Sequence, residues 1–111
     1  MENRKKAWAY YHIDAPEDTH GAFKGQRQQL MNYAEQMAFE IIGSSSDMGD
    51  APLWKRNGFR HFIEAAKAGS AVVLLVVNQQ CLSHSTMQLA QFQVLRKRYG
   101  IEVYSPAVGK I

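Results

Sequence analysis

The fold is decided by the apolar run Ala71-Val72-Val73-Leu74-Leu75-Val76-Val77, which after Asn78 is followed by Gln79-Gln80-Cys81-Leu82-Ser83-His84. Seven consecutive apolar residues, five of them valine or alanine, are typical of a short strand buried on both faces of a parallel sheet. In such sheets, ligands and catalytic groups collect beyond the carboxyl ends of the strands. The chain places amides, a thiol and an imidazole at that junction, so residues 79–84 are the first candidate site.

Composition restricts the class of protein. The chain has 111 residues, of which 46% are hydrophobic and 21% charged, and these values predict one globular domain over residues 1–111. A single cysteine excludes an internal disulfide and predicts a reducing, cytoplasmic compartment. No apolar run approaches the roughly 20 residues of a membrane helix, so no membrane partner is expected. The net charge of +3 only weakly favours nucleic acid.

Apolar runs alternate with helical periodicity on both sides of the central run. Strands are predicted at residues 10–13, 39–42, 71–77 and 101–104, and helices at 25–37, 59–66 and 85–99. This alternation implies right-handed crossovers. It predicts a three-layer α/β fold in which helices cover both faces of a mainly parallel sheet of four to five strands.

Two features of these elements lead to further expectations. Residues 43–58 are rich in Ser, Gly, Asp and Pro, and they predict a flexible active-site loop with Trp54 as an exposed aromatic for partner contact. In the helix at 85–99, apolar spacing predicts an inward face made of Met87, Leu89, Ala90, Phe92 and Leu95.

Four segments carry a family pattern in the correct order. Tyr10-Tyr11-His12-Ile13-Asp14 takes the place of a strand ending Tyr-x-Arg-Val-Ser, and Gln26-Arg27-Gln28-Gln29-Leu30-Met31-Asn32-Tyr33-Ala34 matches Gln-Arg-x-x-Leu-x-x-Tyr-Ala. Arg56-Asn57-Gly58-Phe59 matches Arg-x-Gly-Leu, and Ala65-Ala66-Lys67-Ala68-Gly69 leads into the valine-rich strand. The chain therefore resembles the catalytic domain of serine recombinases, the resolvase and invertase family, from residue 7 to about residue 106.

The resemblance implies a set of site positions at which this chain departs from the family. Family members attack a DNA phosphodiester with a serine hydroxyl, and arginines stabilise the charge on the phosphoryl oxygens. Asp14 stands at the serine position and His12 at the preceding arginine position. In the second segment the family's Asp-Arg-Leu-x-Arg is replaced by Gln80-Cys81-Leu82-Ser83-His84. Of the polar positions, only Gln26 and Arg56 are kept, which predicts that the chain does not cleave DNA.

Several other roles remain open for these residues. Asp14 is equally compatible with capping the turn after its strand. Cys81 and His84 have spacing suited to two metal ligands, with His12 or Asp14 near them, but a metal site needs a third ligand in a fitting geometry. Cys81 is also a possible nucleophile with His84 or His12 as base, although cysteine is more often a small buried hydrophobe. Neither a metal nor a cofactor is predicted.

The functional expectation is a stand-alone binding or regulatory domain. Active serine recombinases continue into a long helix and a DNA-binding module, and no such module is expected within these 111 residues. The expected partners are a second copy of the chain or another recombinase-like protein, with DNA a weak one. The alternatives are an enzyme or anion-binding protein that uses Asp14, Cys81 and His84, and a truncated fragment of a longer recombinase.

Overall fold

The computed structural model describes residues 4–18 and 20–111, which form a five-stranded sheet between layers of helices. The strands are β1 (Lys6–Ile13), β2 (Glu40–Met48), β3 (Val73–Leu75), β4 (Glu102–Ser105) and β5 (Gly109–Lys110), arranged in the order β2-β1-β3-β4-β5. The helices are α1 (Ala22–Met37), α2 (Asn57–Lys67) and α3 (Thr86–Tyr99). The first four strands pair in parallel and β5 is antiparallel to β4. The predicted α/β fold with a mainly parallel sheet is therefore confirmed.

Alternation along the strands divides the core into two clusters, one on each face of the sheet. The first cluster joins β1 and β3 to α1 and contains Ala7, Ala9, Tyr11, Leu30, Ala34, Phe39, Val73 and Leu75. The second joins the opposite sides of the same strands to α2 and α3 and contains, among others, Tyr10, Phe59, Phe62, Leu74, Phe92 and Val103. Because successive side chains of a strand point to opposite faces, one apolar strand serves both clusters. This arrangement confirms the predicted three layers.

The end of β1 and the segment after β3 are brought together by a difference in strand length. β3 pairs with β1 only from Ala7 to Ala9, whereas β1 continues to Ile13. After β3 the chain makes a 3-10 turn at Gln79–Cys81, where the Asn78 side chain accepts the Cys81 N–H at 3.2 Å. The turn places the Cys81 sulfur 3.8 Å from the carbonyl oxygen of His12. Polar residues from two distant parts of the sequence thus meet at one edge of the sheet.

The prediction of an unstructured connection over residues 43–58 is wrong. β2 extends to Met48, a 3-10 turn spans Leu53–Lys55, and α2 begins at Asn57. The composition is misleading because β2 is an edge strand in which Gly43 and three serines pair with β1. Position 43 requires glycine, because a Cβ there would overlap the Trp8 ring. The distance from that Cβ to the nearest ring carbon would be 2.5 Å.

Two further expectations about exposure need correction. Met87 is 71% exposed and Ala90 is also exposed, so these two do not belong to the inward face of α3. Phe92 is fully buried, and Leu89 and Leu95 are half-buried against the second core cluster. Trp54 is half-buried, its ring lies 5.8 Å from that of Phe59, and its indole N–H donates to Gln91 Oε1 at 2.7 Å. Trp54 therefore packs against the second core cluster and is not a fully exposed aromatic.

The observed element boundaries differ from the predicted ones mainly because sequence patterns do not show strand pairing. β1 begins at Lys6, α1 at Ala22 and the final hairpin adds β5, whereas β3 is shorter than its apolar run. α1 begins earlier than predicted because the Asp18 carboxylate accepts the N–H groups of Ala22 and Phe23, which satisfies two donors of the first turn. In the part of the chain that the structure describes, no helix has the length and apolarity required to cross a bilayer.

Candidate functional site

The structure brings the seven positions named by the family pattern to two adjoining cavities at the carboxyl ends of β1 and β3. The first, which we call the strand-end cleft, has a volume of about 180 Å³ and is lined by His12, Asp14, Gln26, Asn78, Gln80, Cys81 and His84. The second, the arginine cleft, has a volume of about 210 Å³ and is lined by His12, Asp14, Asp50, Ala51, Pro52, Arg56, Ser83, His84, Ser85 and Gln88. His12, Asp14 and His84 line both, so they form the boundary between the two cavities.

Gln26 fixes the end of β1 to helix α1. Its side-chain oxygen accepts the main-chain N–H of His12 at 3.0 Å, and its side-chain nitrogen donates to the carbonyl oxygen of His12 at 2.8 Å. This pair of hydrogen bonds reproduces the pattern of a neighbouring strand, so one amide continues the sheet beyond the end of its ladder. In this chain the retained glutamine therefore positions the backbone of His12.

The imidazole of His12 is buried, with 6% of its surface exposed, and it links β1 to the segment after β2. Its Nε2 lies 2.9 Å from the carbonyl oxygen of Gly49. A carbonyl only accepts, so Nε2 carries the proton and, in the neutral ring, Nδ1 is an acceptor. Burial, assisted by the nearby charge of Arg56, lowers the pKa of His12, which keeps the ring neutral near pH 7.

Arg56 is buried and uses its guanidinium as a structural connector. Nε donates to the carbonyl oxygen of Ala51 at 3.0 Å, and Nη1 donates to those of Cys81 and Leu82 at 2.9 Å each. These bonds join the start of α2 to the turn that follows β3. The retained arginine thus directs its observed hydrogen bonds to main-chain oxygens, although it also lines the arginine cleft.

The second segment places its polar residues in three different environments. Cys81 is buried, and its burial raises the pKa of the thiol, so the thiol stays protonated at neutral pH. Its sulfur approaches the oxygens of His12 and Gln26 at 3.8 and 3.9 Å. Gln80 and His84 are exposed at the rim. This geometry gives no support to Cys81 as an activated nucleophile.

Asp14 is exposed at the end of β1, and the described residues donate no hydrogen bond to its carboxylate. The cap of the following helix comes instead from Asp18. Among residues 4–18 and 20–111, no three His, Cys, Asp or Glu side chains are grouped so that they could hold a metal ion.

The sequence did not reveal two polar residues that connect the elements around the site, and Asp47 is the first of them. The Asp47 carboxylate accepts the N–H groups of Gly58 and Phe59 at 2.9 Å each and the Tyr10 hydroxyl at 2.7 Å, so a strand residue caps α2. Burial and the bond to Asp47 raise the pKa of Tyr10. Asp47 lies in the stretch whose composition predicted a loop, and no spacing rule would have identified it.

Gln88 is the second residue that the sequence did not reveal. Its side-chain oxygen accepts the N–H of Leu53 and the hydroxyl of Ser83, both at 3.0 Å. It therefore joins α3 to the segment after β2 and to the segment after β3. A glutamine in a helix is ordinarily a solvent-facing residue, so its type carried no signal of this role.

Comparison with known proteins identifies the family of the chain. The family model described as "Resolvase, N terminal domain" matches residues 16–110, a range that begins two residues after Asp14, so His12 and Asp14 are placed by their position at the end of β1. A comparison with curated protein sequences finds no match.

Solved structures of serine recombinases superpose on most of the chain. The N-terminal catalytic domain of TP901-1 integrase has a TM-score of 0.81 at 21% identity, with 95% of this chain and 80% of that chain covered. A resolvase family site-specific recombinase from Streptococcus pneumoniae has a TM-score of 0.80 at 17% identity, with coverage of 96% and 74%. The catalytic domain of ISC1926 TnpA, an IS607-like serine recombinase, has a TM-score of 0.79 at 16% identity, with coverage of 90% and 68%. Because the family model matches most of its residues and the fold agrees, the chain belongs to the resolvase N-terminal domain family of serine recombinases.

Proposed function

We propose that this chain is a resolvase-type domain that does not cleave DNA and acts instead by binding, as a regulatory partner of itself or of another recombinase. The observation that carries the proposal is the presence of Asp14 where the family pattern has its serine nucleophile. The exposure of Asp14 at the boundary of both cavities supports this assignment.

The chemistry of a carboxylate at this position argues against strand exchange. A carboxylate brings negative charge towards a phosphodiester that is already anionic. Its product would be an acyl phosphate, in which a mixed anhydride replaces the phosphate ester of a phosphoserine. Strand exchange needs an intermediate that survives until the strands are rejoined, and a mixed anhydride is more easily hydrolysed.

The site also offers little stabilisation for the negative charge that develops on the phosphoryl oxygens in the same reaction. Arginine provides a fixed fork of donors to phosphoryl oxygens, which neither a thiol nor a neutral imidazole replaces. His12 and Cys81 stand at two of the family's arginine positions and are neutral, and Arg56 donates to three carbonyl oxygens. Loss of one oxyanion donor typically costs about 100-fold in rate, so loss of several leaves no efficient cleavage.

A binding role is supported by the exposed apolar side chains of α3. Met87 and Val94 are seven residues apart, so they lie on one face of the helix, and both are more than two-thirds exposed. Exposed apolar residues on one helix face favour association with another protein.

The test is a cleavage assay with supercoiled DNA that carries recombination sites of related elements, with an active serine recombinase as positive control. We expect the purified chain to give neither nicked product nor a covalent protein–DNA adduct. Asp14→Ser alone should also be inactive, because the missing arginines still leave the phosphoryl charge without support. An adduct that survives denaturant and disappears in Asp14→Ala would overturn the proposal.

A further inference from the structure

The segment between β2 and the 3-10 turn is held to the rest of the fold by polar contacts at Gly49 and Ala51. The Gly49 N–H donates to the carbonyl oxygen of Ile13 at 3.0 Å. The Gly49 carbonyl oxygen accepts from His12 Nε2 at 2.9 Å. The Ala51 carbonyl oxygen accepts from Arg56 Nε at 3.0 Å. One of these contacts therefore depends on a titratable side chain, the imidazole of His12.

Apolar packing adds little to the attachment of this segment. Residues 50–52 are exposed, and none of their side chains belongs to either core cluster. On the other side of the contact, both main-chain groups of His12 are bonded to the side chain of Gln26, which fixes the end of β1. When the contact between His12 and Gly49 breaks, the segment is free to move at low cost while β1 stays in place.

Charged groups from several elements surround the His12 ring. Burial lowers the pKa of His12, and the charge of Arg56 at the start of α2 lowers it further. The hydrogen bond to Gly49 and the carboxylates of Asp14 and Asp47 act in the opposite direction and do not cancel the decrease. The other titratable groups near the two cavities are the Asp50 carboxylate, the protonated Cys81 thiol, the exposed His84 imidazole and the Tyr10 hydroxyl, which donates to Asp47.

Protonation of the ring is unfavourable in the closed arrangement for two structural reasons. The imidazolium would be a buried charge with little access to water, and burial of a charge is costly. The guanidinium of Arg56 is also unable to move away from it, because carbonyl oxygens before α2 and after β3 hold it in place. Both costs decrease when the segment at residues 49–52 moves away and water reaches the ring.

We propose that the contact between His12 and Gly49 is a pH-sensitive latch: protonation of the buried imidazole releases residues 49–52 and opens the arginine cleft. Asp50, Ala51 and Pro52 line that cleft, so their displacement widens it. The inference is independent of the proposed function, because it concerns the shape of the cavity and not the chemistry of DNA.

The direction of the pH dependence follows from proton linkage. The exposed ring of the open state binds a proton more tightly than the buried ring, so acid favours the open state. The closed state has its full stability above the ordinary histidine pKa of 6.5, and it loses stability as the pH falls from there towards the lowered pKa of His12. Because one proton is taken up, the opening equilibrium constant should rise by at most about tenfold per pH unit.

Amide exchange followed by NMR between about pH 7.5 and pH 5 tests the latch. Protection factors are compared, because they remove the dependence of the exchange chemistry itself on pH. The Gly49 amide should lose protection below about pH 6.5. The amide of Leu74 in β3 should keep its protection over the same range, which shows that the opening is local. A parallel loss at Leu74 would indicate global unfolding and would overturn the inference.

His12→Gln is the decisive variant, since an amide donates to a carbonyl oxygen and does not ionise in this pH range. The pH dependence of protection at Gly49 should disappear in this variant. His84→Gln is the matched control, because it removes an exposed histidine that borders the same two cavities. It should keep the pH dependence of the parent.

Titration of the His12 ring in the parent, followed by the NMR shifts of its carbon-bound protons, is a second measurement that needs no variant. Its midpoint should lie below 6.5. A midpoint at or above 6.5, constant protection at Gly49, or an equal loss of protection in His12→Gln would each overturn the inference. A covalent DNA adduct in the cleavage assay would reject the proposed function and leave the latch unaffected.

Discussion

At the scale of single residues, the close packing of α2 against β2 requires glycine at position 58, the last residue of the Arg56-Asn57-Gly58 pattern. A Cβ at this position would overlap the Ser46 carbonyl oxygen and would lie 2.7 Å from Asp47 Oδ2. We expect Gly58→Ala to lower the free energy of unfolding by about 2–3 kcal/mol, because main-chain atoms of β2 would have to move. Urea unfolding followed by tryptophan fluorescence measures the change.

Gly25 provides the matched control for that substitution. It lies in α1, and a Cβ there would meet nothing within 4 Å. Gly25→Ala should therefore stabilise the domain by about 0.5–1 kcal/mol through helix propensity. If Gly58→Ala were as stable as the parent, the close approach of α2 to β2 would be incorrect.

At the scale of elements, the segment between β2 and α2 is held by α3, so its order depends on polar contacts across the site. Leu53 is fully buried and its N–H donates to Gln88 Oε1 at 3.0 Å. Gln88→Ala should cost about 1–3 kcal/mol, since a buried donor loses its acceptor. It should also speed amide hydrogen exchange at residues 53–56, as measured by NMR or mass spectrometry.

Two other glutamine variants test the specificity of that contact. Gln88→Glu keeps an acceptor oxygen and should retain slow exchange. Gln91→Ala releases only the indole of half-buried Trp54, which can donate to water, so its cost should stay below about 1 kcal/mol. Equal exchange rates in Gln88→Ala and the parent would show that apolar packing alone orders the segment. The flexible loop predicted over residues 43–58 would then be limited to residues 49–52, between β2 and the 3-10 turn.

At the scale of the whole molecule, Glu102 in β4 forms ion pairs with Lys5, which precedes β1, and with Lys110 in the last strand. Its carboxylate accepts from Lys5 Nζ at 2.5 Å and from the Tyr104 hydroxyl at 2.6 Å, and Lys110 Nζ lies 3.5 Å away. The bond from Lys5, followed by that from Tyr104, lowers the pKa of Glu102 to about 2 from its ordinary value of 4.5. A lowered carboxyl pKa stabilises the fold above the unfolded-state value, and this stabilisation is lost as the pH falls towards 2.

The expected measurement is a comparison of the parent with Glu102→Gln between pH 6 and pH 2.5. The parent should be more stable by no more than about 1 kcal/mol at pH 6, because water screens a side chain that is 26% exposed. The advantage should decrease between about pH 4.5 and pH 2 and should be smaller in 1 M salt. An advantage that is constant over this pH range would mean that the ion pairs do not contribute to stability.

The sequence alone determined the architecture, because the apolar patterns are local and strong. The buried run at residues 71–77 and the helical spacing at 25–37 were sufficient to predict a strand and a helix in the correct order. The family pattern also identified which polar residues, including His12, Asp14 and Cys81, would lie at the carboxyl edge. The strand and helix predictions succeed because hydrophobic periodicity depends only on residues that are close together in the sequence.

Only the tertiary structure decided what those polar residues do. Composition predicted a loop at residues 43–58, but pairing with β1 makes its first part a strand that places Asp47 against the start of α2. The neutral state of His12 and the engagement of Arg56 with carbonyl oxygens depend on burial by segments far away in sequence. Hydrogen bonding and desolvation are set by which groups meet in space, and that information is carried by the packed fold and not by local pattern.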